Sequence, residues 1–280
     1  MGSEPSGRLF VSVVITTRNE EQHVRALLES LSGQEPPYEV VLVDAESRDR
    51  TFEIAETFRA RDPERVRLIR RPCSRGGGRN LGVKAARAEY VAFIDGDCVA
   101  DPGWLAAIRR GFVHSDVVAG RTTVLGRDFY GGMERVELYL EGSDVTFPSC
   151  NLGYRRSLFR RLDGFDPRFI TAEDIDLNLR AVRLGASIVY DPEAIVLHHV
   201  RTTFVRFLYQ AYWNGYGRKQ LTEKHGSLWV RYRLRRLLHG QKGAIAWARL
   251  VAAFAGYATR MVTGPTPEYP AVRPPSEEAT

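Results

Sequence analysis

The chain has 280 residues, with 40 Lys and Arg against 34 Asp and Glu, a formal charge of +6. Hydrophobic residues make up 44% and charged residues 26%, which excludes a disordered, collagen-like or fibrous chain. The single long apolar stretch, 244–262, contains Arg249, which excludes a multi-span membrane protein.

Three scattered cysteines, Cys73, Cys98 and Cys150, form no C-x-x-C, against a disulfide framework or structural zinc. With an N-terminus lacking an apolar signal core, they point to the cytoplasm. The basic surplus suggests an anionic partner: nucleic acid, a membrane surface or a phosphorylated ligand.

Residues 10–16 are apolar and β-branched and predict a buried strand. Asn19, with Gln22 three residues on, reads as a helix cap, and Val24, Leu27, Leu28 and Leu31 follow at helical spacing until Gly33. Residues 38–44 predict a second strand, and Ser47 or Asp49 caps a helix to about residue 60. Residues 66–70 predict a third strand, followed by a Gly-rich turn and a helix through Ala85 and Ala86. Residues 90–95 predict a fourth strand. Apolar strands between amphipathic helices mean βαβ units, an α/β fold with a mostly parallel sheet.

Beyond residue 100 the pattern loosens. Asp101-Pro102 opens a helix, 117–125 predict a strand, 129–141 a helix, and 146–170 are mixed. Thr171 to Leu184 predict a helix, and 187–198 short strands broken at Asp191-Pro192. Residues 204–262 read as helical, and the Pro-rich 263–280 as a disordered tail.

Open parallel sheets bind ligands at the carboxyl ends of their strands. There the chain places Thr16-Thr17-Arg18-Asn19-Glu20, then Asp44, then Gly76-Gly77-Gly78-Arg79-Asn80, then Asp95-Gly96-Asp97. Asp95 and Asp97, two apart on extended chain, point to one side and repel unless a cation sits near them. A hard divalent cation with diphosphate oxygens fits, and Gly96 lets the backbone come close. Asp44 can accept hydrogen bonds from a base N–H or ribose hydroxyl, or can cap the next helix. Gly78 and its neighbours free backbone N–H groups for an anion, and Arg79 adds a bidentate phosphate donor. Asp174 is either one half of a capping pair with Thr171 or a general base beside Glu173 at a helix start. His198, of His198-His199, is a candidate further metal ligand.

Several ordered motifs together resemble the family 2 glycosyltransferases, which have the GT-A fold. They are V-V-I-T-T-R-N-E, V-L-V-D-A-E-S-R-D-R-T, G-G-G-R-N-L-G, F-I-D-G-D, C-N-L-G-Y-R-R-S-L-F, D-G-F-D and A-E-D-I-D-L-N-L-R, spread over roughly residues 10–220. The resemblance implies a GT-A catalytic domain over 8–203, with a nucleotide-binding half of about 8–100 and an acceptor half of about 101–203. It implies an inverting transfer from a nucleoside diphosphate sugar, UDP- or GDP-linked, to a hydroxyl of a glycan or lipid-linked acceptor. Asp44 with Thr16, Arg18 and Glu20 would hold the nucleoside, and Arg79 with Gly78 and Gly96 the diphosphate. Asp97, with Asp95 behind it and His198 added, would hold Mg²⁺ or Mn²⁺. Asp174 would be the base and Glu173 a sugar or acceptor contact. Gln210-Ala211-Tyr212-Trp213 departs from the Q-x-x-R-W of processive synthases, which argues against polymerisation.

The extension 204–262 mixes Arg206, Arg218, Lys219, Arg231, Arg233, Arg235, Arg236 and Lys242 with Phe204, Tyr209, Trp213 and Trp229. A basic, aromatic helical segment predicts peripheral contact at the cytoplasmic face of a membrane. Two other readings compete. A sugar-phosphate nucleotidyltransferase would need a Gly-rich Arg/Lys signature after the first strand, where Thr16-Thr17-Arg18-Asn19 stands. A nucleic-acid-binding module would meet repulsion from Asp95 and Asp97, so no nucleic acid is expected as partner.

Overall fold

The structure, a computed structural model, describes residues 10–125, 137–199, 203–226, 228 and 243–264. The four apolar runs form strands β1 (Val11–Thr17), β2 (Tyr38–Asp44), β3 (Val66–Arg70) and β4 (Tyr90–Asp95). Helices α1 (Val24–Ser32), α2 (Thr51–Arg61) and α3 (Arg75–Ala85) connect them. All of β2 is buried, which is why it carries no alternation. Val24, Leu27, Leu28 and Leu31 of α1 are buried against it. Each such side chain contributes about 1.5–3 kcal/mol by leaving water.

The second half supplies β5 (Cys98–Ala100), α4 (Trp104–His114), β6 (Val117–Leu125), β7 (Tyr139–Leu140), β8 (Ser143–Asp144), β9 (Leu152–Arg155) and α5 (Arg156–Arg161). It continues with α6 (Glu173–Arg183), β10 (Ile188–His199), α7 (Phe204–His225) and α8 (Ala244–Thr263). Among the described residues one sheet runs β3-β2-β1-β4-β9-β6-β10-β5. β3, β2, β1 and β4 are parallel, β9 is antiparallel to both its neighbours, and β10 is parallel to β6 but antiparallel to β5. The expected mostly parallel sheet holds in the first half and becomes mixed in the second.

Several local expectations change. Asn19 is not a cap: it has φ +57, its Oδ1 accepts the Arg48 N–H, and α1 begins at Val24. Neither Ser47 nor Asp49 caps α2 through its side chain in the usual sense; the cap position is Arg50, and Asp49 accepts from Thr51 instead. The Gly-rich segment is no turn. Ser74 caps α3, and Gly76, Gly77 and Gly78 form its first turns. The α4 helix starts at Trp104, later than Asp101-Pro102 suggests. Asp191-Pro192 does not end the strand but makes a bulge inside β10. The helix expected over 129–141 falls mostly outside the described residues, and its described end carries β7.

The described residues of the extension over 204–262 form two helices, α7 and α8. Trp229, Arg231, Arg233, Arg235, Arg236 and Lys242 lie outside the described residues, as do 265–280 of the expected tail. A Cβ on Gly215 would run into the backbone of Ala253, and one on Gly256 into that of Tyr212, so α7 and α8 meet backbone to backbone. A buried ion cluster ties α7 to α6. Asp176 is fully buried and meets Arg180 at 2.7 Å, His225 at 2.7 Å and Lys224 at 2.9 Å. Lys224 also reaches Asp166 at 2.7 Å. No helix among the described residues is long and apolar enough to cross a membrane.

Candidate active site

The register of the first four strands places the predicted acids side by side. Thr17 pairs with Asp44, and Thr16 with Asp95, at the carboxyl ends of β1, β2 and β4. Among the described residues, the hydroxyls of Thr16 and Thr17 are buried there without a hydrogen-bond partner. A Cβ on Gly78 would stand 2.6 Å from the Thr16 methyl, so α3 can lie on this tip only with glycine. Gly96 packs against Thr17 and Glu20. Arg18 is exposed beside them.

Asp44 is fully buried. It accepts the Ser47 N–H at 3.0 Å and the Ser47 hydroxyl, and Arg70 Nε lies 3.5 Å away. Its first role is to hold the β2–α2 turn. Thr16, Arg18, Glu20 and Asp44 gather at one sheet edge, beside a cleft that they do not line.

That cleft encloses about 830 Å³ and is lined from the sheet side by Asp95, Asp97, Glu173, Asp174, His198 and Arg75. It unites residues from Arg75 to Tyr257 of the chain. His198 Nε2 lies 3.4 Å from Asp97 Oδ1, because β10 runs beside β5 immediately after the acidic turn. Ligand atoms of Asp97, His198 and Cys98 all fall within 4.8 Å of one another. The Cys98 thiol is pushed far up, first by its hydrogen bond with Cys150 and then by burial, so it stays protonated. A carboxylate with an imidazole and room for outside oxygens suits a divalent cation such as Mg²⁺ or Mn²⁺. His199 differs: its ring packs at a tilt against His23, with centroids 4.2 Å apart, and burial, then His23, holds its pKa down.

Two of the predicted residues face each other in this structure. Asp95 was expected in the metal set with Asp97, but its carboxylate turns to Arg79, at 2.6 Å. Burial opposes its charge, yet Arg79 and then Arg75 outweigh burial and hold its pKa low. Arg79 was expected to meet a diphosphate, but its side chain is 1% exposed. It spans Asp95 and Glu173, the latter at 2.7 Å, with its guanidinium over the Phe165 ring. Arg75, one turn earlier on α3, is exposed and lines the cleft. The signal for it was Ser74 as a cap, which starts the helix one residue before the glycines and turns Arg75 outward.

Glu173 and Asp174 open α6 after Ala172, whose φ of +66 is unusual for a residue with a side chain. Thr171 does not form the capping pair; its hydroxyl donates to the Trp213 carbonyl on α7. Asp174 accepts the Ile175 N–H at 2.8 Å and the Ser149 N–H at 3.1 Å. Its carboxyl is raised to about 6, first by burial and then by the charge of Glu173. The helix start alone would have lowered it, so burial wins here. A carboxylate titrating just below neutral is ionised at pH 7 and still basic enough to take a proton. The facing wall comes from α7 and α8, with Tyr209, Trp213, Arg218, Arg249, Phe254 and Tyr257 among its residues.

The family described as "Glycosyl transferase family 2" matches residues 12–163, and "Glycosyl transferase family group 2" matches 90–268. The pre-mycofactocin glycosyltransferase of Mycobacterium tuberculosis is 31% identical over 217 residues, covering 71% of this chain and 44% of that protein. Glycosyltransferase AglE of Haloferax volcanii is 27% identical over 207 residues, covering 69% of this chain and 67% of that one. The chain thus spans less than half the length of the first of these relatives. Among solved structures, the mannosyltransferase PcManGT of Pyrobaculum calidifontis, in complex with GDP-Man and Mn²⁺, has a TM-score of 0.65 at 20% identity, over 95% of this chain and 79% of that one. TarS 1–349 of S. aureus with UDP-GlcNAc has a TM-score of 0.57 at 21% identity, over 90% of this chain and 91% of that one. These likenesses establish the GT-A-type architecture.

Proposed function

This chain belongs to glycosyl transferase family 2, and from that premise we propose that it moves a sugar from a nucleoside diphosphate sugar to an acceptor hydroxyl with inversion. The observation that carries the reading is Asp174: its carboxyl, raised to about 6, shares one cleft with Asp97 and His198. In this reading Asp174 takes the proton of the acceptor hydroxyl as its oxygen bonds to the anomeric carbon. The bond from that carbon to the diphosphate breaks on the opposite face. Glu173, held by Arg79, shapes the sugar side. Asp97 and His198 hold Mg²⁺ or Mn²⁺, with Asp95 kept ionised behind them by Arg79. When bound, the cation supplies charge against the departing diphosphate. Arg75 adds a second positive group from the helix start.

Thr16, Arg18, Glu20 and Asp44 form the nucleoside side of this site, with Gly78 and Gly96 allowing the backbone to come close. The unpartnered hydroxyls of Thr16 and Thr17 support that assignment. The neighbours solved with GDP-Man and Mn²⁺ and with UDP-GlcNAc support a UDP- or GDP-linked donor. The acceptor enters between the sheet edge and the α7–α8 wall. Exposed Phe204, Val205 and Trp247 on those helices support a membrane-proximal, glycan or lipid-linked acceptor.

A thermal-shift screen of UDP, GDP, TDP and their sugars, with and without Mn²⁺, tests the donor. Stabilisation by one nucleotide series only with Mn²⁺ is expected. No shift with any nucleotide would overturn the reading. Flotation with neutral and anionic liposomes tests the membrane contact, which fails if the protein stays with neither.

A further inference from the structure

Residues 145–148 belong to no helix or strand. They run along the cleft, where Thr146, Pro148, Ser149 and Cys150 are lining residues. Backbone that joins no ladder still needs partners for its carbonyls, and side chains must supply them. Asn178 does so here. It is fully buried on α6, and its Nδ2 donates to the Val145 and Phe147 carbonyls, both at 3.1 Å. Its Oδ1 accepts the Tyr154 hydroxyl at 2.6 Å. Tyr154 sits on β9, so the oxygen end of the amide is taken and the NH₂ end faces the segment.

Asp174 stands one turn earlier on the same face of α6. It meets the same segment two residues beyond Phe147. The Ser149 N–H donates to Asp174 Oδ2 at 3.1 Å, and the Ile175 N–H to Oδ1 at 2.8 Å. Each carboxylate oxygen thus has one backbone donor, which fixes its plane and leaves a lone pair on each for a hydroxyl. Beyond Ser149 the segment is pinned to the sheet by Asn151. The Nδ2 of Asn151 donates to the carbonyls of Arg121 at 3.0 Å and Ala194 at 2.7 Å, and its Oδ1 accepts the Trp104 indole N–H at 2.9 Å. The Ser149 N–H is held from two sides, and Asn178 is the hold on the α6 side.

We infer that Asn178 is a positioning residue for the proposed base: through the Val145 and Phe147 carbonyls it keeps the Ser149 N–H on Asp174. The inference rests on the transfer reading above, and the contact it names can also be read without turnover. A backbone N–H on a carboxylate favours the anion. It works against burial and the charge of Glu173, which raise this carboxyl. Without the Ser149 N–H, Asp174 would keep its proton to a higher pH, and fewer molecules would carry an ionised base near neutrality. The other charged or titratable groups around Asp174 are Glu173 beside it, Arg75 and Arg79 on α3, and Tyr154 on β9. Asp95, Asp97 and His198 at the sheet tips and Arg218 and Arg249 across the cleft share its cavity. A substitution at Asn178 alters none of them, so a moved titration reports on the Ser149 contact.

Hydrolysis of UDP-GlcNAc and GDP-mannose to water, with Mn²⁺ and the full chain, is followed across mildly acid and neutral pH. Asn178→Ala should move the acid limb of kcat up by about one pH unit, the scale of a lost hydrogen bond to a charged group, with the donor KM within about twofold. Ser149→Pro deletes the same N–H directly, at the start of a turn where proline fits, and should give the same shift. The double variant should shift no further than either single one. Tyr154→Phe removes a hydrogen bond from the same network but leaves both bonds to the segment, so its limb should coincide with the parent's. If Asn178→Ala does not fold, Asn178→Leu fills the space and carries the same expectation.

An unmoved limb in both the Asn178 and the Ser149 variants overturns the inference. Additive shifts in the double variant do so too, because Asn178 would then act by another route. An equal shift in Tyr154→Phe would mean general loosening and overturns it as well. If neither donor is cleaved, that counts against the transfer reading, and melting curves read the Asp174 titration instead. At pH 8 the stability gained by Asp174→Asn should be larger in Asn178→Ala than in the parent, because the folded carboxyl then lies further above its unfolded value. An equal gain in both backgrounds overturns the inference by that route.

Discussion

Arg79 and Glu173 are 94 residues apart in the chain and 2.7 Å apart in the fold, a buried ion pair beneath the cleft. The other edge of the same guanidinium meets Asp95 at 2.6 Å. Arg79 thus joins the acidic turn after β4 to the start of α6. Burial works against its charge, but the two carboxylates more than offset that and drive its pKa further up. Arg79→Met should leave both acids facing a buried space without a counter-ion. We expect a loss of about 3–5 kcal/mol in urea unfolding, the usual cost of breaking a buried pair from one side. Arg79→Met with Glu173→Gln should recover part of it. A single variant as stable as the parent would show that the bridge is dispensable.

Asp174→Asn separates chemistry from binding. Turnover should fall at least ~100-fold while nucleotide affinity stays within about twofold. The parent's kcat should rise with pH through about 6, where Asp174 ionises. Stability should respond with the opposite sign. A carboxyl whose folded pKa lies above its unfolded value favours the protonated folded state. Its contribution is present below about pH 4 and is lost as pH rises to about 6. Asp174→Asn should therefore melt higher than the parent at pH 8, with the gap closing towards pH 4. Equal melting at both pH values would contradict the burial of this charge.

Asp97→Ala should remove the Mn²⁺-dependent part of nucleotide binding, read by calorimetry with and without the metal. His198→Ala should weaken Mn²⁺ more than it weakens metal-free nucleotide. Asp95→Asn should act differently, lowering stability through Arg79 as well. If Asp97→Ala binds nucleotide and Mn²⁺ as the parent does, the cation is held elsewhere.

Asp44→Ala should weaken nucleotide binding even without metal. Ser47→Ala should only loosen the β2–α2 turn that Asp44 holds. Comparing the two by thermal shift with and without UDP or GDP distinguishes a ligand contact from a turn brace. Equal nucleotide shifts in both variants would leave Asp44 as a brace.

Lys224→Met probes the cluster that holds α7 over α6. Asp176 and Asp166 both have depressed pKa values despite burial, through His225 and Arg180 for the first and Arg168 and Lys224 for the second. Such groups stabilise the fold above the ordinary carboxylate range and lose that contribution as pH falls. The variant should show a lower melting temperature at pH 7 and a smaller further drop in acid. An acid profile parallel to the parent's would mean that the cluster contributes little.

The elements of the first hundred residues were legible because each signal was local. A run such as 38–44 is buried on both faces, so hydrophobicity alone marks it. The tips of those strands were legible too, since parallel topology dictates where their ends converge. Local patterns misled where a side chain's partner lay far away. Asn19 looked like a cap but bonds across to Arg48, and Thr171 looked like a cap but bonds to Trp213. The glycines before Arg79 read as a turn, yet they are helical, capped by Ser74, and Phe165 and Thr16 lie so close to Gly76 and Gly78 that a Cβ there would crowd them.

By itself, then, the order of residues determined the α/β class, the acidic sheet tips and the pairing of Glu173 with Asp174 at a helix start. These depend on periodicity and on neighbours within a few positions. Only the tertiary structure decided that Arg79 pairs with two carboxylates, that His198 stands beside Asp97, and that burial raises Asp174. Each of those depends on distance and desolvation between segments far apart in the chain, and neither quantity is written in any local stretch of residues.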